Sequence, residues 1–375
     1  MNMPDLSNSS QANLDKDIQA RVSRWVRPAV QELKAYAVPN ADGLVKLDAM
    51  ENPYCWPDAL VAEWIEVLKT VELNRYPEPQ ADKLKALLRQ HLGLADELGL
   101  VLGNGSDELI QILQLSVGGA GRCVLAPTPS FVMYELTAVA TGTRFIGVPL
   151  TQSFELNVEA MLKTIEQHNP AVIFIAYPNN PTGNLFRLED IDKIITATDG
   201  LVVIDEAYEA YAESSYLSRI ESFPNLLVMR TLSKLGLAGL RLGMLMGPKD
   251  WLAQFEKLRL PYNINTLSQI SGEFSLRHKS VFVEQVENIR SERELLLGKL
   301  AKLAGVRVYP SKANFILFKV AERASSIYAK LLADGVLIKK LDGSAEALKD
   351  CLRVTVGTPA ENCQFMTALQ KALIN

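Results

Sequence analysis

Five short, largely apolar runs constrain this chain more than any other feature: Leu100-Val-Leu102, Arg122-Cys-Val-Leu-Ala126, Ala171-Val-Ile-Phe-Ile175, Leu201-Val-Val-Ile204 and Leu226-Leu-Val-Met229. Their apolar residues are consecutive rather than alternating, as expected of strands buried on both faces. Stretches with helical spacing lie between them, such as Ala81–Leu92 with Leu84, Leu87, Leu88 and Leu92. Repeated strand-then-helix units predict an α/β fold with a mostly parallel sheet flanked by helices. Each run ends in a loop of polar or special residues: Gly103-Asn-Gly105, Pro127-Thr-Pro-Ser-Phe131, Asn179-Asn-Pro-Thr-Gly183, Asp205-Glu-Ala-Tyr208 and Arg230-Thr-Leu-Ser-Lys234. Ligands bind at the carboxyl ends of strands in open parallel sheets, so these loops are expected to converge. Ser106 is placed to cap the helix that begins at Asp107.

At 375 residues the chain exceeds what one hydrophobic core usually organises, so two domains are expected. After about residue 270 a long charged helical segment, Val281–Leu303, carries Ile289, Leu295 or Leu296, Leu300 and Leu303 on one side. A compact set of strands and helices follows, near 314–318, 325–333, 336–338 and 351–356. The last helix opens with Thr358 as cap, Pro359 at its first position and Glu361 completing a capping box. This predicts a large domain over 56–275 and a smaller α/β domain over 276–375.

With 48% apolar and 22% charged residues the chain can bury a substantial core, and a net charge of −4 argues against nonspecific nucleic-acid binding. Cys55, Cys123, Cys351 and Cys363 are scattered, suggesting no metal site and no disulfide framework, but idle thiols in a reducing, cytoplasmic compartment. No apolar run approaches the ~20 residues of a membrane helix. The polar start, residues 1–20, lacks a signal peptide's basic and apolar regions and reads as a flexible arm.

The chemistry concentrates at three loops. Lys234 stands among hydroxyls and glycines, and a lysine with an ordinary pKa of about 10.4 must be made neutral to act as nucleophile or base. Thr231, Ser233 and the glycine-flanked Arg241 offer donors to a phosphate. A second phosphate candidate is the glycine turn before Ser106 and Asp107, where the helix N–H groups, rather than the Asp107 and Glu108 carboxylates, should face the anion. Asp205 ends a buried strand, a costly place for a carboxylate without a cationic partner. Singly, these also read as a solvated lysine, a helix-capping aspartate beside a solvated Glu206, and a plain Asn-Pro-Thr-Gly turn.

Together and in this order, Asn180-Pro-Thr-Gly183, Asp205-x-x-Tyr208 and Ser233-Lys234 with Arg241 resemble the pyridoxal-phosphate aminotransferases of the aspartate-aminotransferase fold, from about Tyr36 to the last helix. The resemblance implies the type I fold, a large domain with a seven-stranded sheet plus a smaller domain in which residues 21–55 join 276–375. It implies pyridoxal 5'-phosphate as cofactor, tethered by Lys234, which is also the general base. Asp205 would face the pyridine nitrogen, Tyr208 and Asn180 the phenolic oxygen, and Phe131 the ring face. Ser106, Asp107, Thr231, Ser233 and Arg241 would hold the phosphate, with Tyr76 reaching it from the neighbouring subunit of a homodimer with shared sites.

Within that superfamily the chain resembles the histidinol-phosphate aminotransferases through Leu47-Asp-Ala-Met-Glu51-Asn52-Pro53, Asn74-Arg-Tyr76-Pro77, Tyr177–Gly183, Ala313-Asn314-Phe315 and Leu352-Arg353-Val-Thr-Val-Gly357. This implies amino transfer between L-histidinol phosphate and 2-oxoglutarate in histidine biosynthesis. Arg353 would bind the substrate phosphate or the glutamate carboxylate, with Tyr36, Asn180 and Asn314 also at the substrate. The chain departs from the family in three places: Arg241 lies seven residues after Lys234 where eight is usual, Met50 stands for a common asparagine, and Lys339 for a common arginine. An aromatic or other amino-acid aminotransferase and a threonine-phosphate decarboxylase would share most of these residues.

Overall fold

The computed structural model describes residues 6–35 and 38–374. Two compact units divide the chain after Asn40. The first holds helices α1 (Leu6–Trp25) and α2 (Pro28–Gln31), and the Gln31 amide closes the turn between them by donating to the carbonyls of Ser23 and Val26. Residues 6–20, expected as an arm, are thus helical.

The second unit, Ala41–Asn375, begins with β1 (Val45–Leu47), α3 (Asp58–Leu68), α4 (Asp82–Leu92), β2 (Leu98–Asn104), α5 (Ser106–Val117), β3 (Cys123–Thr128), α6 (Met133–Thr141) and β4 (Arg144–Pro149). It continues through α7 (Val158–His168), β5 (Val172–Ala176), α8 (Leu188–Thr196), β6 (Leu201–Asp205), β7 (Leu226–Thr231), β8 (Leu242–Pro248), α9 (Lys249–Phe255), α10 (Thr266–Arg277) and α11 (Lys279–Leu300). β9 (Val306–Val308), β10 (Phe315–Val320), α12 (Ala324–Ala333), β11 (Val336–Lys340), β12 (Cys351–Thr355) and α13 (Pro359–Ile374) complete it.

All five apolar runs are strands of one seven-stranded sheet, ordered β2-β8-β7-β6-β5-β3-β4. Strands β4, β3, β5, β6 and β7 are parallel, while β8 runs antiparallel to both β7 and β2. Burial on both faces explains the unbroken apolar runs: Ile173, Ile175, Val202, Ile204, Leu226 and Val228 pack in one core, and Val172, Phe174, Leu201, Val203, Leu227 and Met229 in the opposite one. Burying an aliphatic side chain of this size contributes about 1.5–3 kcal/mol.

A second sheet of five strands, β1-β11-β12-β10-β9, joins β1 from early in the chain to the C-terminal strands. Of residues 21–55, assigned from sequence to the smaller domain, 45–47 thus form an edge of this sheet, and those up to Asn40 belong to the first unit. On α11 it is Leu296, not the exposed Leu295, that joins Ile289 and Leu300 in the core. The Thr358–Glu361 capping box forms as expected: the Thr358 N–H donates to Glu361 Oε2 at 2.7 Å and the Glu361 N–H to Thr358 Oγ1 at 3.3 Å. Ser106 is not the cap of α5. The helix already includes it, and Gly105 takes the cap position with a φ of +85° that suits glycine, so the turn is one residue tighter than expected.

The strand ends are braced by a buried charge cluster. Glu206, expected to be solvated if Asp205 merely capped a helix, is instead fully buried; Arg230 lies 2.8 Å away, and the Tyr216 N–H and Ser215 hydroxyl also donate to its carboxylate. This ties the exit of β6 to the last turn of β7. Removing one partner of such a pair leaves an uncompensated buried charge. Arg230→Met is expected to lower stability by about 3–5 kcal/mol in chemical denaturation near neutral pH. The loss should shrink at acidic pH, where Glu206, whose pKa burial already raises, takes up a proton. A variant as stable as wild type would show that the pair is dispensable.

Candidate active site

The parallel register sets the site. Ala176 pairs with Asp205 and Asp205 with Met229, so β5 and β6 end on one row, β7 runs two residues past it to Thr231, and the three exit loops open at one place. Because β8 runs the other way, its start rather than its end reaches that edge, and Arg241, the residue before it, is delivered beside Lys234. One cavity there is lined by Asp205 and Tyr208, by Thr231, Ser233, Lys234 and Arg241, by Ser106 and Asp107, and by Phe131, Asn180 and Met50.

The glycines on its floor are explained by close approach. A Cβ on Gly105 would lie 2.6 Å from Arg241 Nη2, and one on Gly243 would lie 2.5 Å from the Gly105 carbonyl carbon. Backbone is therefore packed on backbone at the start of α5, with the arginine fork laid across it. The seven-residue spacing is absorbed by two short 3₁₀ turns, Ser233–Leu235 and Ala238–Leu240, and by Arg241 itself at φ +52°. Arg241 Nη2 stands 3.3 Å from Asp107 Oδ2, Thr231 Oγ1 lies 2.9 Å from Ser233 Oγ, and the Ser233 N–H donates to Thr231 Oγ1 at 3.1 Å. Glu108 is turned away, accepting from the Asn104 N–H at 2.6 Å and the Asn263 amide at 2.8 Å. Cationic fork, hydroxyls and helix-start N–H groups thus face one small volume, a donor set suited to a phosphate.

Asp205 is 4% exposed and accepts two hydrogen bonds, from the Tyr134 hydroxyl at 2.7 Å and the Ala207 N–H at 3.1 Å. Burial pushes its carboxyl up to about 6 against these two donors. Lys234 Nζ sits 3.4 Å from the Ala49 carbonyl and 5.7 Å from the centre of the Tyr208 ring. Its pKa is brought down to about 8, first by burial and then by the positive charge of Arg353. The Tyr208 hydroxyl donates to Met50 Sδ at 3.0 Å.

The five-stranded sheet brings the anion-binding candidate. Arg353, central in β12 and buried, donates through Nη1 to Asn180 Oδ1 at 2.5 Å and through Nη2 to the Asp48 carbonyl at 2.9 Å, with its guanidinium 5.2 Å from the Phe315 ring centre. Asn314 donates to the Met50 carbonyl at 2.9 Å. Three successive carbonyls, of Asp48, Ala49 and Met50, are therefore engaged by Arg353, Lys234 and Asn314. The Met50 N–H donates to Thr355 Oγ1 at 2.9 Å, and Met50 adopts φ +55° to make this turn.

Tyr76 is 81% exposed, stacked on Tyr262 with ring centres 4.6 Å apart, and does not line the cavity of its own chain. Tyr36 lies outside the described residues. Sequence reasoning missed Tyr134 and the carbonyls of 48–50. Tyr134 lies three residues after Phe131, one helical turn on, a spacing that could have flagged it.

The sequence profile of the class I and II aminotransferases matches residues 42–369. A histidinol-phosphate aminotransferase 2 of Nitrosococcus oceani is 52% identical over 93% of this chain and 98% of its own length. A histidinol-phosphate aminotransferase of Methylibium petroleiphilum is 46% identical over 98% of this chain and its full length. Among solved structures, the histidinol-phosphate aminotransferase of Sinorhizobium meliloti in complex with pyridoxal-5'-phosphate superposes with a TM-score of 0.83 at 23% identity, covering 93% of this chain and 98% of that one. An L-threonine-O-3-phosphate decarboxylase of Porphyromonas gingivalis shares the fold at a TM-score of 0.74 and 24% identity, covering 88% of this chain and all of its own. The chain belongs to the class I and II aminotransferases, alongside the histidinol-phosphate aminotransferases with which it shares about half its residues over nearly its whole length.

Proposed function

We propose that this protein transfers an amino group between L-histidinol phosphate and 2-oxoglutarate with pyridoxal 5'-phosphate as cofactor, a step of L-histidine biosynthesis. The observation that carries this reading is the convergence of a half-buried lysine, a buried carboxylate and a cradle of phosphate donors in one cavity, with Arg353 hydrogen-bonded to its lining residue Asn180. The residues fit the cofactor. Gly105 and Gly243 let the Arg241 fork and strand β8 close up on the start of α5, and Asp205 supplies the negative charge that a protonated pyridine nitrogen requires. Ser106, Asp107, Thr231, Ser233 and Arg241 would hold its phosphate end, and Phe131, Asn180 and Tyr208 its ring. When bound, pyridoxal phosphate supplies an electron sink that no side chain offers.

Lys234 performs the proton transfers. A lysine lowered to about 8 is neutral often enough near physiological pH to take a proton from the substrate's α carbon. Arg353 receives the anionic end of either substrate, phosphate in one half-reaction and carboxylate in the other, with Asn180 holding the guanidinium plane. Tyr76, exposed and remote from its own cavity, supports a homodimer in which each site is completed by the partner. Four free cysteines suit the cytoplasm as the working compartment.

In the apoprotein, competitive labelling with an amine-reactive reagent should show Lys234 reacting with a midpoint near pH 8, well below an ordinary lysine. Arg353→Leu should move that midpoint to higher pH, because the neighbouring cation disfavours the ammonium form. An unmoved midpoint would remove Arg353 from the site.

Arg353→Leu should also weaken transition-state binding of histidinol phosphate by roughly 2–5 kcal/mol in kcat/KM, while Arg353→Lys keeps part of it because charge survives and the fork does not. Wild type turning over histidinol as well as its phosphate, or preferring phenylalanine, would replace this reading with a general aromatic aminotransferase. Carbon dioxide release from threonine phosphate would favour the decarboxylase. For the shared site, heterodimers of a Tyr76→Glu chain and a Lys234→Ala chain, each inactive alone, should regain one of their two sites. A fully active monomer would refute the dimer.

A further inference from the structure

Tyr134 has no place in the roles assigned so far, yet it is the side chain most firmly directed at Asp205. Its ring is completely buried, lying parallel to Phe174 with centres 4.7 Å apart and edge-on to Phe131 at 5.6 Å. Its carbonyl is held by the buried Gln114 amide at 3.0 Å, so neither backbone nor ring is free to swing. The one polar atom on that ring, the hydroxyl, ends 2.7 Å from Asp205 Oδ2.

We propose that Tyr134 is a positioning residue: its hydroxyl keeps the Asp205 carboxylate ionised and aimed into the cavity, so that a proton shared with a bound pyridine nitrogen stays on the nitrogen. The inference rests on the function proposed above. The groups facing Asp205 make such help necessary. Asp107 from α5 and Glu206, the residue after β6, both act like burial and disfavour a charged Asp205. Only the Tyr134 hydroxyl and the Ala207 N–H, among its described contacts, act in the other direction. Tyr134 does so as a fixed donor. Burial and the adjacent carboxylate, with Tyr208 and Asp107 nearby, push its own pKa well above the usual tyrosine range, so its proton is retained at any working pH. Without that donor the buried carboxylate becomes the better base, and the shared proton moves from nitrogen to Asp205. No atom is gained or lost; only the position of one proton changes.

Tyr134→Phe is the direct test, because it keeps the ring against Phe174 and Phe131 and removes one oxygen. The full chain is reconstituted with pyridoxal phosphate carrying ¹⁵N in the ring, and the nitrogen's chemical shift and the cofactor's dissociation constant are measured. Wild type should give a protonated nitrogen. The variant should shift toward the unprotonated value and release cofactor about tenfold more readily, the scale of a hydrogen bond to a charged acceptor. kcat should fall with little change in KM. Asp205→Asn supplies the second measurement: in that background the hydroxyl has no carboxylate to support, so adding Tyr134→Phe should change the dissociation constant little further. Losses that simply multiply, or a variant with wild-type nitrogen shift and affinity, would overturn the role of Tyr134 alone. A wild-type nitrogen that is unprotonated, or a borohydride-fixed label on a lysine other than Lys234, would instead overturn the placement of the cofactor on which the inference stands.

Discussion

The common register of β5, β6 and β7 is the constraint on which the site depends. In a parallel sheet the hydrogen-bond register decides how far each strand projects, and here Ala176, Asp205 and Met229 share one row. A shift of one residue in β6 would turn Asp205 to the opposite face and bring Glu206 toward the cavity. The register is secured from behind by the apolar side chains on both faces and by the Glu206–Arg230 pair, so the costly group on the working side is positioned by inexpensive packing on the other. The antiparallel β8 adds what a purely parallel sheet would lack: a strand beginning at this edge, which lets seven residues carry the chain from Lys234 to Arg241.

The second sheet meets the first through hydrogen bonds as well as through the apolar packing of Tyr208 and Tyr211. Residues 48–52 leave β1 and cross the mouth of the cavity, giving their carbonyls to Arg353, Lys234 and Asn314, while Asn52 donates to the Leu235 carbonyl at 3.2 Å and the Gln285 side chain at 2.9 Å. Gly236 is required in the lysine loop for the same reason: at φ +101°, a Cβ there would lie 2.9 Å from Asn52 Nδ2. Asn180 completes the link from the large sheet to β12. The lysine loop, the buried Arg353 and this crossing segment form one hydrogen-bonded unit.

The strands were legible because burial on both faces leaves an unbroken apolar run, and the loops because glycine, proline and asparagine cluster where strands end. Helix α13 was legible from its capping box, whose two bonds are local. What stayed hidden was long-range or conformational. Leu295 and Leu296 cannot be separated by periodicity alone, since either fits the stripe within the scatter of 3.6-residue spacing. A buried tyrosine reads as core until an acceptor is seen at its hydroxyl, and Tyr134 meets Asp205 across 71 residues of chain. Glu206 could not be assigned to a buried pair without knowing that Arg230 lies beside it. Tyr76 and Arg241 were found by motif, and only Arg241 reaches the cavity of its own chain.

The way Met50 is held bears on how such a protein diverges. Asn314 and Thr355 grip its carbonyl and N–H, and only the Tyr208 hydroxyl, among the described hydrogen bonds, reaches its side chain, so the hold of Asn314 and Thr355 survives any replacement that keeps the backbone shape. That shape, φ +55°, is one that few residues besides glycine, asparagine and aspartate adopt readily. Sequence drift at this rim position is filtered by conformation first and by chemistry second. A side chain lining the cavity can therefore be exchanged among a small set of residues while the hydrogen-bonded frame behind it is left in place.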